Sequence, residues 1–270
     1  MKQNVLYEAV SERLSVGAMS MLRTVVLLTA AASLAACAWI GERPIDGTMT
    51  GSAAVPAART LLLTPPGGGD WQDFRLPGKL FAPFQPVSRQ GRSALEVQAH
   101  RSVSVLRRQF DPPVQAVGKL AFSWKVEALP EGADLKDASA TDAPVRILLA
   151  FDGDRSTWSA RTHRLSELSR LLTGEPLPYA TLSYVWSQDD PVDAVLNNPR
   201  TDRIRKVVVE SGQANLGVWR DYQRDVRADF IRAFGEEPGA LLAVALMTDT
   251  DNTQSTLKAW YGALRLDQQP

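Results

Sequence analysis

The sequence predicts an all-β fold: one mostly antiparallel β-sandwich, jelly-roll-like, over residues 60–270, with one or two short helices. Three observations carry this. From Thr60 onward, apolar and polar residues alternate over short stretches, the period of two that a strand with one buried face requires. Gly, Pro, Asn and Asp separate these stretches, and those residues favour turns. No regular strand–helix alternation runs along the chain, which argues against a parallel α/β sheet.

The segment before the domain reads as an address. Met1 to Ala18 is polar, shows no period, and is an upstream extension if translation starts at Met19 or Met21. Arg23 then precedes the apolar run Thr24–Ala36, the layout of a secretory signal over residues 1–36. The run is shorter than the ~20 residues a membrane span needs. It ends in Leu34-Ala35-Ala36-Cys37, which resembles the lipobox of bacterial lipoproteins. Cys37 is the single cysteine of the chain and is the expected lipidation site. A buried free cysteine is the plainer reading of such a residue. Ala38 stands where an aspartate is absent, which in such lipoproteins implies sorting to the outer membrane, facing the periplasm. Residues 37–59, with Gly, Pro, Thr, Ser and Ala and no period, read as a flexible lipidated tether.

Within the domain, Leu95 and Val97, and then Val103 and Val105, open the alternation. Leu120, Phe122, Trp124 and Val126 alternate with Lys119, Ala121, Ser123 and Lys125, a strand with one buried face. Val145–Phe151 and Ile204–Val209 are denser in apolar residues and should be central strands. Leu182, Tyr184 and Trp186 repeat the alternation. A helix is expected from His163 to Leu172, closed by Gly174. A second is expected over Trp219–Phe234, because Trp219, Tyr222, Val226, Phe230 and Phe234 fall at spacings of three and four. Gly235 and Pro238 end it. Leu241–Met247 and Leu257–Leu266 are the closing strands.

Charge and rare residues limit the chemistry. The chain has 30 basic and 30 acidic residues, a formal net charge of zero, which offers nothing to a nucleic acid. With 44% hydrophobic residues it is composed like a globular protein. One cysteine and two histidines, His100 and His163, leave no cysteine-based zinc site and little for a triad. Ser211 lacks the preceding glycine of a nucleophile elbow. Gly67-Gly68-Gly69 reads as a turn.

Asp249-Thr250-Asp251-Asn252-Thr253 follows an apolar strand, as the nucleophile motif of haloacid-dehalogenase phosphatases does. Too little chain follows it to complete that fold. It fails as an EF-hand loop, because Gln254 and Trp260 occupy the positions of the required Gly and Glu. Two readings remain. Asp249, Asp251 and Asn252 coordinate a hard cation such as Ca²⁺, or their side chains cap a tight turn, which is the preferred one. No cofactor is otherwise required. Exposed aromatic rings on a sandwich stack on sugars, and Trp158, set among polar residues, is the ring expected at the surface. Trp158, Trp186, Asp142 and Asp152 are the candidate ligand-binding residues. Acid pairs such as Asp189 with Asp190, or Asp152 with Asp154, would serve glycoside hydrolysis only if they faced each other across a cleft.

Several blocks occur in a fixed order: Phe122-Ser123-Trp124-Lys125-Val126, Asp142-Ala143-Pro144-Val145-Arg146, Leu182–Trp186, Val209–Gly212, Trp219–Asp229, Phe234-Gly235-Glu236 and Met247–Thr253. Together they resemble the bacterial domain-of-unknown-function family thirty forty-seven, over roughly residues 70–266. The resemblance implies one exported domain and carries over no catalytic role. It also implies a second acid beside Asp142, where this chain has Thr141.

The expectation is an exported, lipid-anchored protein of the bacterial envelope. It is a non-catalytic binding module for a glycan or another envelope component, including an envelope protein. The alternatives are an envelope polysaccharide hydrolase using paired carboxylates, which predicts a groove, and a structural or assembly lipoprotein, which predicts an exposed apolar patch.

Overall fold

A computed structural model describes residues 59–63 and 70–268. The signal segment 1–36, Cys37, the rest of the tether up to residue 58 and the Gly67–Gly69 turn lie outside the described residues. Arg59, expected to end the tether, instead opens β1 (Arg59–Leu62), which pairs antiparallel with the last strand.

Two sheets face each other. One holds β11 (Arg220–Asp225), β6 (Val117–Val126), β13 (Thr256–Gln268), β4 (Arg92–His100) and β3 (Gln85–Arg89) in that order, with β1 also on β13. The other holds β2 (Trp71–Asp73), β5 (Val103–Val114), β12 (Leu241–Asp249), β7 (Ala143–Phe151), β8 (Ala180–Ser187), β10 (Ile204–Ser211) and β9 (Val195–Asn197). Along the chain only β3–β4 and β7–β10 are runs of consecutive strands within one sheet; every other step passes from one sheet to the other. This is the β-sandwich that the alternation predicts. The pairings are antiparallel except that of β8 with β10, and a two-layer sandwich of this kind buries its inner faces against each other.

The core lies between the sheets. Leu120, Phe122, Trp124 and Val126 of β6 are buried and meet Leu182, Tyr184 and Trp186 of β8. The rings of Phe122 and Tyr184 stack across the gap with centroids 5.7 Å apart. Burying side chains such as Leu120, Ile147 and Phe151 stabilises by about 1.5–3 kcal/mol each. The Tyr261 hydroxyl on β13 reaches across to donate to the Met247 carbonyl of β12 at 2.6 Å, so its polar end is satisfied inside the core.

Two expectations need correction. The outer face of β6 is solvated only at its start, at Lys119: Ser123 and Lys125 further along are buried as well. The turn between β3 and β4 lies over it, and Lys125 Nζ donates to Gln90 Oε1 at 3.0 Å beside the Trp260 ring. Gly262 is required there, because a Cβ would stand 2.2 Å from Ser123 Oγ.

The helix expected over Trp219–Phe234 covers only its second half, α2 (Val226–Phe234). Arg220–Asp225 is instead β11, paired with the open edge of β6, where Tyr222 packs on Phe122 and Trp124. Burial alternates along it with a period of two. The helical spacing of Trp219 and Tyr222 is therefore coincidental. Asp225 ends the strand by accepting the Ala228 amide, which caps α2. The other helix, α1 (Ala160–Thr173), forms where expected. Ser159 caps its start, and Gly174, at φ 82°, ends it in the left-handed conformation that glycine adopts at no cost.

Candidate functional site

The acidic string falls at one end of the sandwich, where β12 stops and β7 starts. Asp142, Asp249 and Asp251 bring carboxylate oxygens within 4.8 Å of one another. The turn after β12 is capped, but not by its own Asp and Asn side chains as expected; a side chain from elsewhere does it. Asp142 accepts the Asn252 amide at 3.2 Å, the Thr253 amide at 2.8 Å and the Thr253 hydroxyl at 2.7 Å. Asp251 pairs with Lys79. Asp249 Oδ2 lies 3.6 Å from the Arg146 guanidinium, and its Oδ1 is buried with no hydrogen-bond partner. Burial, with Asp142 and Asp251 beside it and Arg146 opposing, pushes the Asp249 carboxyl up to about 7. Of the residues proposed for Ca²⁺, Asp249 and Asp251 come together, whereas the Asn252 side chain turns away to donate to the Ser139 carbonyl at 3.1 Å. Three acids thus face two protein cations, with Asp249 Oδ1 left unpartnered.

The candidate aromatics are not at the surface. Trp158 is 8% exposed, stacked on Tyr179 with centroids 6.2 Å apart and touching His163 edge-on. Its polar neighbours serve the local backbone instead: Asp154 caps a 3₁₀ turn at Ser156 and Ser159 caps α1. Trp186 is 1% exposed and donates its ring N–H to the Gly212 carbonyl at 3.0 Å. Neither ring presents a face to a sugar. Asp152 pairs with Arg155 at 3.1 Å, and Asp190 is buried between Lys136 and Ser187. Of the acid pairs considered for hydrolysis, Asp152, Asp154 and Asp190 are taken up locally, and Asp189 is exposed beside the buried Asp190.

The opposite end holds a cleft of about 340 Å³ between the start of α1 and the turn from β9 to β10. Arg161, Arg200 and Arg205 line it, with Asp202 as the single carboxylate of the wall. Its size is at the low end of small-molecule sites, about 300–1,000 Å³. Ser159, Asn197 and Asn198 add neutral polar groups. Lys206, next along β10, is buried and donates to the Leu135 carbonyl. Burial, with Arg146 and Arg200 nearby, pushes its ammonium down to about 7. Arg161 and Arg200 belong to separate polar stretches, each of which reads in sequence as ordinary solvated surface. A larger hollow of about 990 Å³ runs along Asp111–Ala116 beside Asp70, where Arg108 pairs with Asp70 at 2.9 Å and Arg107 with Glu175 at 2.6 Å.

Comparison with curated proteins returned no match. Among solved structures, a variant of CBM29-2, a family 29 carbohydrate-binding module, is 10% identical and overlays 78% of this chain and 92% of its own at a TM-score of 0.34. A CBM29-2 variant complexed with cellulohexaose is 11% identical, covering 78% of this chain and 91% of its own, at 0.34. A family 29 module from Piromyces equi is 7% identical, covering 78% and 91%, at 0.33. So loose an overlay transfers neither a ligand nor a site. The family model described as a protein of unknown function, DUF3047, matches residues 69–265 and spans both charged ends and the core between them. The ordered blocks from Phe122 to Thr253 all lie inside that match, and the chain belongs to the DUF3047 family.

Proposed function

We propose that the protein is an exported, lipid-anchored, non-catalytic binding module of the bacterial envelope, and that a glycan or other envelope component enters the cleft between α1 and the β9–β10 turn. The observation that carries this reading is the contrast in side-chain engagement. Of the carboxylates that could act in pairs, Asp251, Asp249, Asp152 and Asp190 are bound by Lys79, Arg146, Arg155 and Lys136, whereas the cleft is lined by polar groups with donors to spare. The Leu34-Ala35-Ala36-Cys37 string supports a lipid on Cys37 that holds the module at the outer membrane, facing the periplasm. No cofactor is required. Ca²⁺ at Asp142, Asp249 and Asp251 would have to displace Lys79 from Asp251.

Binding of the full-length protein to an array of neutral and acidic glycans tests the reading. Retention of one glycan class, reduced by substitutions in the cleft, is the expected result; no retention of any glycan overturns the glycan reading. Fatty-acid labelling in cells should be lost in the Cys37→Ala variant, and labelling that persists contradicts the anchor. A melting temperature that shifts with chelator or added Ca²⁺ would contradict the metal-free reading.

A further inference from the structure

The arginines of the described domain mostly have carboxylate partners. Arg107 pairs with Glu175, Arg146 with Asp249, Arg203 with Asp202 and Arg224 with Asp229. The three that line the cleft do not form an ion pair among the described residues. Arg161 donates to the Arg200 carbonyl at 3.3 Å, and Arg205 to the Asp202 carbonyl at 2.6 Å. Arg200 donates to the Ala138 carbonyl and, at 3.5 Å, to the Thr141 hydroxyl. A guanidinium has five N–H donors, so most of this donor capacity is unused.

The single wall carboxylate does not supply the missing charge. Asp202 Oδ1 accepts the Thr162 hydroxyl at 3.3 Å and faces Arg203 Nε at 3.5 Å, so it ion-pairs with none of the three, and its charge only partly offsets the cost of holding Arg205. Arg205 is half-buried, and burial with Arg203 beside it depresses its pKa, so the cation is held at a cost that an anion in the cleft would relieve. The N-terminus of α1, at Ala160, adds positive potential of the same sign.

We infer that the cleft takes the oxyanionic group of an acidic saccharide, a carboxylate or phosphate ester on a sugar ring, held by Arg161, Arg200 and Arg205. Planar guanidinium forks match carboxylate and phosphate oxygens in geometry as well as charge. Ser159, Asn197 and Asn198 line the same cleft, as partners for ring hydroxyls. This inference rests on the binding-module reading and names the chemical class of its ligand.

Calorimetric titration of the full-length protein at constant ionic strength tests it, with glucuronate, glucose 6-phosphate, inorganic phosphate and glucose as the probes. The acidic sugars should bind at least tenfold more tightly than glucose. Arg161→Gln and Arg205→Gln should each weaken the acidic sugars at least tenfold and leave glucose unchanged. Equal affinity for glucose and the acidic sugars, or acidic-sugar binding that both substitutions leave intact, overturns the inference while the binding module stands. Inorganic phosphate binding as tightly as glucose 6-phosphate supports the oxyanion site and removes the sugar ring from it. Binding of none of the four overturns the inference, and the glycan array then decides separately on the binding module.

Discussion

The two ends of the sandwich carry opposite charge in opposite states. At the end where β12 stops, Asp142, Asp249 and Asp251 meet Lys79, Arg146 and three hydrogen-bond donors of the following turn. At the other end, Arg161, Arg200 and Arg205 surround a cleft and bond only neutral oxygens of the chain. Polar groups that satisfy one another serve the fold, because a buried charge left without a partner is expensive. Groups left short of partners beside a concave surface serve something outside it. Charge alone does not separate the two ends; what its neighbours already do with it does.

The comparison breaks most readily at Asp142. Its carboxylate accepts two backbone amides and one hydroxyl from inside the structure, and hydrogen bonds to a charged acceptor contribute about 1.5–3 kcal/mol each. Asp142→Ala should therefore lower unfolding stability by about 3–5 kcal/mol in urea. A loss below about 1 kcal/mol would mean that this end does not hold the fold.

A smaller effect is expected in the pH dependence. The folded protein keeps a proton on Asp249 up to about pH 7, whereas the unfolded chain releases it near the ordinary value of 3.8. The stabilisation from that proton is complete below the ordinary value and is lost as pH rises through 7. Because a pKa unit corresponds to about 1.4 kcal/mol, the Asp249→Asn variant should be more stable than the parent at pH 8 by up to about 4 kcal/mol, with a flatter profile between pH 4 and 7. Denaturant midpoints at pH 5 and pH 8 measure this, and identical pH profiles for the two proteins would contradict it.

The smallest effect belongs to the cleft. Arg161→Gln and Arg205→Gln should each leave stability within about 0.5 kcal/mol, since neither breaks an ion pair. Destabilisation of either variant comparable to that of Asp142→Ala would make the arginines structural and erase the difference between the ends.

The strands were legible where burial is one-sided or complete. Leu241–Met247 reads as a strand and is one, because dense apolar sequence between Gly239 and Asp249 leaves few other conformations. The helix α1 was legible from its closing glycine. Arg220–Asp225 was not, since a free edge on β6 decided its conformation and nothing local records that edge. At the acidic end, the Asp-Thr-Asp-Asn-Thr string marked the turn, but its capping residue stands 111 residues before Thr253. The cleft was least legible. Arg161 lies in the first turn of α1, while Arg200 and Arg205 flank a later turn, and only the fold makes them one wall. Trp158 misled for the reverse reason: its polar neighbours cap helices and do not mark exposure.

The most direct test of a ligand-binding basic end is amide hydrogen exchange on the full-length protein with and without glucose 6-phosphate. Slower exchange is expected in residues 159–165 and 197–205, and no change in residues 248–254. Slowing confined to the acidic end, with the cleft unchanged, would contradict this.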